Sequence, residues 1–396
     1  MTSTMMIRRF RIGGKCRIME EDPATKGIPM SRSTRRSILK AGLAAGLLPM
    51  MPLALRPAFA GQTYAPQVGE WTAYDLQTTI TLAKNGPSQV WLPVPSVQTE
   101  WQRSVGDSFT GNAAQAEIVT DPASGAKMLH ARFDAGTDSP TLTLTSRVET
   151  RGRVTDWSKT ARVSEDPAVL QAALTGSSHK PLDGIVAEKA AQITKGAVTD
   201  REKVAAVYAW IVANCHRDMD VAGCGSGDIQ ATLTTAGLGG KCADLNGLFV
   251  GLVRASGVPA RDVYGVRVAP SAFGYKQLGA NSPTVTGAQH CRAEVWLSGL
   301  GWVAMDPADV LKVMRAETET WIKNPADPLV APVNAALQGN WEGNWVAFNT
   351  ASDLALPGRD GETLPFLMYP QGLTPQGKLD ELDAKSFAYE MTATAV

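Results

Sequence analysis

The sequence predicts an α+β protein: a small antiparallel β-sandwich followed by a domain that runs helices first and sheet second. Three observations predict it. Between Trp71 and Arg153, apolar residues alternate in short runs broken by Pro and Gly. From Pro181 to Ala255 they recur at helical spacing behind capping signals. From Ala260 onward, three runs rich in Val, Tyr and Trp read as strands.

The elements follow in order. Residues 1–60 are set apart from the fold. "STRRSILKAGLAAGLLPMMPLALRPAFA" places Arg35 and Arg36 before an apolar stretch that closes on Ala58-Phe59-Ala60. This reads as a twin-arginine export signal cleaved after Ala60, with Met30 an alternative start. Arg56 and the prolines inside the run argue against an uncleaved anchor. The expected location is therefore periplasmic or secreted.

Residues 66–153 form the predicted β-sandwich domain. Tyr74, Leu76, Thr78, Ile80 and Leu82 alternate as on a half-buried strand, and "QVWLPVP", "KMLHARF" and "TLTLTSRVET" add further strands. Residues 157–325 form the predicted catalytic domain. One helix begins near Pro181 and ends before Gly196. The next opens with Thr199 and Glu202 at capping-box spacing and carries a stripe of Val204, Val207, Tyr208, Ile211 and Val212. A third runs from Cys242 to about Ala255. "ARDVYGVRVA", "HCRAEVWLSG" and "GWVAMDPA" then read as strands. Residues 326–396 are a β-rich extension of short strands expected to pack on that domain.

Charge narrows the partners. Of 38 basic and 38 acidic residues, 11 and 3 fall in residues 1–60, which leaves 27 and 35 and a net charge of −8. Such a surface repels phosphate backbones, so no nucleic-acid partner is expected. No later stretch is long and apolar enough to span a bilayer.

Chemistry gathers at "GLGGKCADLNGLFVGLVRAS", Gly237 to Ser256. Leu245, Leu248, Phe249, Leu252 and Val253 form a core-facing stripe, which puts Cys242 in the first turn. There the unpaired N–H groups and the helix dipole favour a thiolate and can hold an oxyanion. Gly239 and Gly240 are expected to let a substrate backbone approach. Asp244 and Asn246 are expected on the helix surface.

A thiolate needs a base, and the chain has four histidines. His130 is expected on a solvated strand face and His179 in a loop, while His216 suits a helix C-terminus. His290 opens a strand on which Arg292 and Glu294 share its face and Cys291 faces away, expected to be packed rather than catalytic. A hairpin at Ser298–Gly301 brings back a strand ending at Asp306, which can orient the imidazole. Arg292 is expected in a surface salt bridge with Glu294 or a neighbour, ahead of a role toward an acidic group or a substrate carboxylate.

"GGKCADLNGLFVGLVRASGVPARDVYG" and "QHCRAEVWLSGLGWVAMDPADV" together resemble bacterial proteins of the transglutaminase-like superfamily. The order Cys242, His290, Asp306 matches that family's pattern. The resemblance covers residues 157–325 and implies a papain-like core, a cysteine-bearing helix packed on an antiparallel sheet. Many members carry His-Ala-Trp where this chain has His290-Cys291-Arg292.

The expectation is an exported thiol enzyme acting on amide or peptide bonds of a protein or peptide substrate in the cell envelope. Its site is Cys242, His290 and Asp306. The other class is a non-catalytic envelope-binding module on the same fold. Cys215 and Cys224 lie nine residues apart, so an oxidising compartment allows a disulfide that closes the loop between them, an alternative weighed evenly against two free thiols. Cys224, Cys242, His290 and Cys291 lack zinc-motif spacing, and no loop has EF-hand spacing, so neither metal nor cofactor is expected.

Overall fold

A computed structural model describes residues 63–83, 86–160, 163–359, 361, 363–383 and 385–396; the predicted export signal lies outside them. The chain opens with β1 (Thr72–Thr81), β2 (Ser88–Val94), β3 (Gln102–Gly111), β4 (Gln115–Thr120), β5 (Lys127–Phe133) and β6 (Thr141–Thr150). Next come α1 (Pro167–Ala172), α2 (Gly184–Ile193), α3 (Asp200–Asn214), β7 (His216–Arg217), α4 (Ile229–Leu233), β8 (Gly239–Gly240) and α5 (Cys242–Ala255). The site-bearing strands follow, β9 (Ala260–Arg267), β10 (Gln289–Leu297) and β11 (Gly301–Met305), and then α6 (Pro307–Ala316) and α7 (Ala331–Ala336). The chain closes through β12 (Gln338–Gly339), β13 (Trp345–Asn349), β14 (Leu354–Ala355), β15 (Thr363–Leu364), β16 (Gln371–Thr374), β17 (Gly377–Lys378) and β18 (Ala388–Ala395).

Two sheets make the front sandwich. One has the order β18-β1-β6-β3 and the other β17-β16-β2-β5-β4. Ile80, Leu92, Leu129, Leu142 and Leu144 interlock between them. Residues from the far end of the chain complete both: β18 pairs with β1 along Tyr74↔Ala395 to Thr81↔Ala388, and β16 pairs with β2. β13, by contrast, is an edge strand of the site-bearing sheet. The segment after residue 326 is thus shared between the two halves.

The site-bearing sheet has the order β12-β11-β10-β9-β13, with every pairing antiparallel. The predicted hairpin is present, with Leu297 opposite Gly301 and Ala293 opposite Met305. The capping box of α3 is also present: Glu202 N–H donates to Thr199 Oγ1, and Thr199 N–H to the Glu202 carboxylate.

α5 departs from the amphipathic expectation. Every residue from Cys242 to Arg254 is buried, because β9 and β10 pack on one side and α2, α3, α4 and α6 on the others. Asp244 and Asn246 are therefore interior residues rather than surface ones.

β10 is buried on both faces as well. Glu294 sits between Arg153 and Arg261, the latter at 2.6 Å. Trp341 packs edge to face on both Trp101 and Trp345, and the Arg153 guanidinium lies over the Trp101 and Trp341 rings. His130 is also interior rather than solvated. It stacks on Trp91 at 5.2 Å and shares a hydrogen bond of 3.0 Å with Gln89, and its burial pushes its pKa below the ordinary imidazole range.

Candidate active site

Cys242 is the first residue of α5 and is 3% exposed. What fixes it there is Asp244. One carboxylate oxygen accepts from Lys241 N–H at 2.9 Å, capping the helix. The other accepts from the N–H groups of Ser226 and Gly227, each at 2.9 Å. The helix start is thereby tied to the loop that carries Cys224, whose carbonyl accepts from Ala243 N–H at 2.9 Å.

The two glycines before the cysteine serve packing, not substrate approach. A Cβ on Gly239 would lie 2.7 Å from His216 Nε2, and one on Gly240 would lie 2.5 Å from Asp244 Cβ. Both are buried beneath these neighbours.

His290 is brought to the sulfur by β10. Its Nε2 lies 2.8 Å from Asp306 Oδ2, and the imidazole stands beside the Cys242 sulfur. Asp306 follows β11 and N-caps α6, accepting from Asp309 N–H at 3.1 Å, with Pro307 in the first helical turn. Asn246 completes the frame: its amide donates to Asp306 Oδ1 at 3.0 Å and to the Cys291 carbonyl at 2.9 Å, and its own oxygen accepts from Ala308 N–H. The three residues singled out in the sequence are thus adjacent, held by a fourth expected on the surface.

Other neighbours carried no local signal. Asp309 Oδ1 is 3.4 Å from His290 Nε2, and Arg267 Nη2 reaches both Asp309 oxygens at 2.6 and 2.8 Å. Arg292 is 2% exposed, not a surface group. Its Nε is 3.6 Å from Asp306, and its guanidinium lies 4.6 and 5.2 Å from the Trp345 and Trp341 ring centres. His290, Asp306 and Asp309 have ligating atoms within 4.8 Å of one another. Arg267 and Arg292 already supply the positive charge that a metal ion would bring.

The four cysteines among the described residues are free thiols. Cys224 does not pair with Cys215; it lies against Cys242. Nor is Cys291 turned clear of the site, because the end of β10 abuts the first turn of α5. Both thiols lie beside the Cys242 sulfur, and Cys224 Sγ donates to the Gln289 carbonyl at 3.4 Å.

These contacts set the electrostatics. The neighbouring Cys224 and Cys291 thiols, and then His290, hold the Cys242 thiol well below its usual range despite burial. Burial alone would lower the His290 pKa, but the Asp309 and Asp306 carboxylates outweigh it and raise it. Of the two acids, Asp309 is the firmly ionised one, held down by Arg267, while burial and the Asp309 charge push Asp306 up. The arrangement suits a thiolate–imidazolium pair.

Residues 187–307 match the Transglutaminase-like superfamily. An uncharacterised Haemophilus influenzae protein is 34% identical over 335 residues, covering 80% of this chain and 88% of that one. The chain belongs to the transglutaminase-like superfamily. The match spans Cys242, His290 and Asp306 and the elements that join them. A Cytophaga hutchinsonii structure described as that of a candidate cysteine protease superposes with a TM-score of 0.50. It is 16% identical, over 83% of this transglutaminase-like chain and 92% of its own, a likeness of fold.

The site opens to an approximately 620 Å³ cleft lined by Cys242, His290, Cys224, Tyr369, Arg217 and Lys312, among others. No helix of the described residues is long and apolar enough to cross a membrane.

Proposed function

We propose that this chain is an exported thiol enzyme that cleaves or exchanges amide bonds of protein or peptide substrates through Cys242, His290 and Asp306. The observation that carries the reading is the 2.8 Å contact between His290 Nε2 and Asp306, in a cleft that His290 and Cys242 line together.

The Cys242 thiolate attacks the carbonyl carbon of the amide. The developing oxyanion turns to the Cys242 N–H at the start of α5, since the next amide, that of Ala243, is engaged by Cys224. His290, protonated at Nδ1, gives its proton to the leaving amine, and the C–N bond breaks to leave a thioacyl group on Cys242. Asp306 keeps the Nε2 proton and the ring orientation throughout. His290 then draws a proton from the acceptor, which attacks the thioacyl carbon and frees the thiolate. Water gives hydrolysis or deamidation, and a primary amine gives transamidation. The twin-arginine pattern of residues 31–60 supports a periplasmic or secreted location.

Thiol alkylation tests the nucleophile. Iodoacetamide is expected to label Cys242 rapidly at neutral pH, and His290→Ala to slow it. Labelling at an ordinary thiol rate, indifferent to that substitution, would overturn the reading in favour of a binding module. Mass spectrometry of envelope peptides treated with the enzyme or with Cys242→Ala then reads the acceptor: a loss of about 17 Da for cross-linking, a gain of about 1 Da for deamidation, new termini for proteolysis.

A further inference from the structure

The cleft beside Cys242 holds more positive charge than the site itself needs. β7 pairs in parallel with β8, and Arg217 lies opposite Gly240, two residues before the cysteine. α6 packs on β7 and carries Lys312 into the same cleft. Among the described residues neither cation has an ion-pair partner. Arg217 Nε is buried without any hydrogen bond, and Lys312 Nζ donates only to the Gln277 carbonyl, at 2.8 Å. Two other cations line the cleft. Arg267 is taken by Asp309, and Lys276 is exposed. The one lining carboxylate among the described residues, Glu381, is held by Lys378 at 3.2 Å.

The thiolate does not balance this excess, because the His290 imidazolium already does. Leaving a guanidinium nitrogen buried and unpaired costs free energy that a bound anion recovers. A planar carboxylate matches the guanidinium fork, and an ammonium beside it adds a second contact. Burial and the neighbouring Arg267 and Arg217 charges lower the Lys312 pKa to about 7, and an anion seated beside it favours the charged ammonium.

We propose that Arg217 and Lys312 form a carboxylate subsite in the cleft, so that the acyl donor presented to Cys242 is acidic: a peptide or amide bearing a carboxylate close to the reacting carbonyl. This rests on the thiol-enzyme reading of the same site. It also sets a local preference against the net charge of −8 on residues 61–396, which would otherwise disfavour an acidic donor.

Two alkylating agents of nearly equal size test it on the intact protein. Iodoacetate carries the carboxylate and iodoacetamide does not, so the ratio of their rates at Cys242 cancels changes in thiolate reactivity. The ratio is expected to exceed that of glutathione by roughly fivefold, the effect of one screened ion contact, and to fall toward it in Arg217→Gln and in Lys312→Met. Acetate is expected to slow iodoacetate labelling more than equimolar inorganic phosphate does. A ratio equal to that of glutathione, or one raised but insensitive to both substitutions, overturns the subsite while rapid iodoacetamide labelling leaves the nucleophile intact. Stronger protection by phosphate overturns the carboxylate assignment. Slow labelling by both reagents removes the nucleophile, and the subsite with it.

Discussion

Asn246 reaches from the second turn of α5 to Asp306 at the start of α6 and donates to it at 3.0 Å, joining the cysteine helix to the acid of the site. The same side chain satisfies the Cys291 carbonyl and the Ala308 amide, so one residue fixes the spacing of α5, β10 and α6. Asn246→Ala leaves three buried groups without this partner. It is expected to lower unfolding stability by about 1–3 kcal/mol and to slow Cys242 alkylation. Denaturant titration and labelling rates on one preparation check both effects. Slower labelling at unchanged stability would separate orientation of Asp306 from packing.

The pH profile of alkylation follows from the shifts at Cys242 and His290. A thiol held below its ordinary range is already thiolate at neutral pH, so the rate is expected to rise at acidic pH and stay level from there through pH 8. His290→Ala removes both a hydrogen bond and a positive charge from the thiolate. The midpoint is expected to move up by at least about one pH unit. A wild-type midpoint near pH 8.5, the value of a free thiol, would contradict the thiolate–imidazolium pair.

Much of this site was legible because its parts are local patterns. The helix start at Cys242, the strand at His290 and the Asp306-Pro307 cap each carry their own signal, and only their order was needed to join them. Asn246 and Asp244 were misread because a helix position shows polarity but not what packs over it; α2, α3, α4 and α6 close around α5. Arg267 and Asp309 meet across 42 residues with no periodicity to link them. β3 and β4 left no alternating trace because both strands are largely exposed on either face. His130 sat on the nominally polar side of β5, yet Trp91 of the neighbouring strand covers it.

Glu294 tests the other buried network. Burial would raise its carboxyl, but Arg261 and Arg153 outweigh this and hold it below the ordinary range. Its contribution to stability is present above about pH 4.3, the unfolded value, and is lost as the pH falls through the lower folded value. Glu294→Gln is expected to cost about 3 kcal/mol at pH 7, because the buried Arg153 and the half-buried Arg261 lose their counter-charge. The gap between variant and wild type is expected to narrow below pH 4. Urea unfolding at pH 7 and pH 3.5 measures it, and a gap that persists would point to packing instead.

Gly240→Ala probes the cap of α5. The added Cβ would lie 2.5 Å from Asp244 Cβ and 2.8 Å from one of its oxygens, so Asp244 must give way. Helix capping and the tie to the 224–227 loop loosen together. The variant is expected to lose about 1–3 kcal/mol of stability and to label more slowly at Cys242, both measurable on purified protein.

The pairing of β18 with β1 has a consequence for how the protein is made. The partners of Tyr74 through Thr81 are residues 388–395, so β1 leaves the ribosome about 300 residues before its partner strand. Until then its edge stands open, a template for any other extended segment nearby. A nascent chain stalled before residue 388 can complete the cysteine helix and its sheet but not the front of the molecule. Such fragments are expected to aggregate through β1, and a chaperone that shields this edge during synthesis would spare the chain that fate.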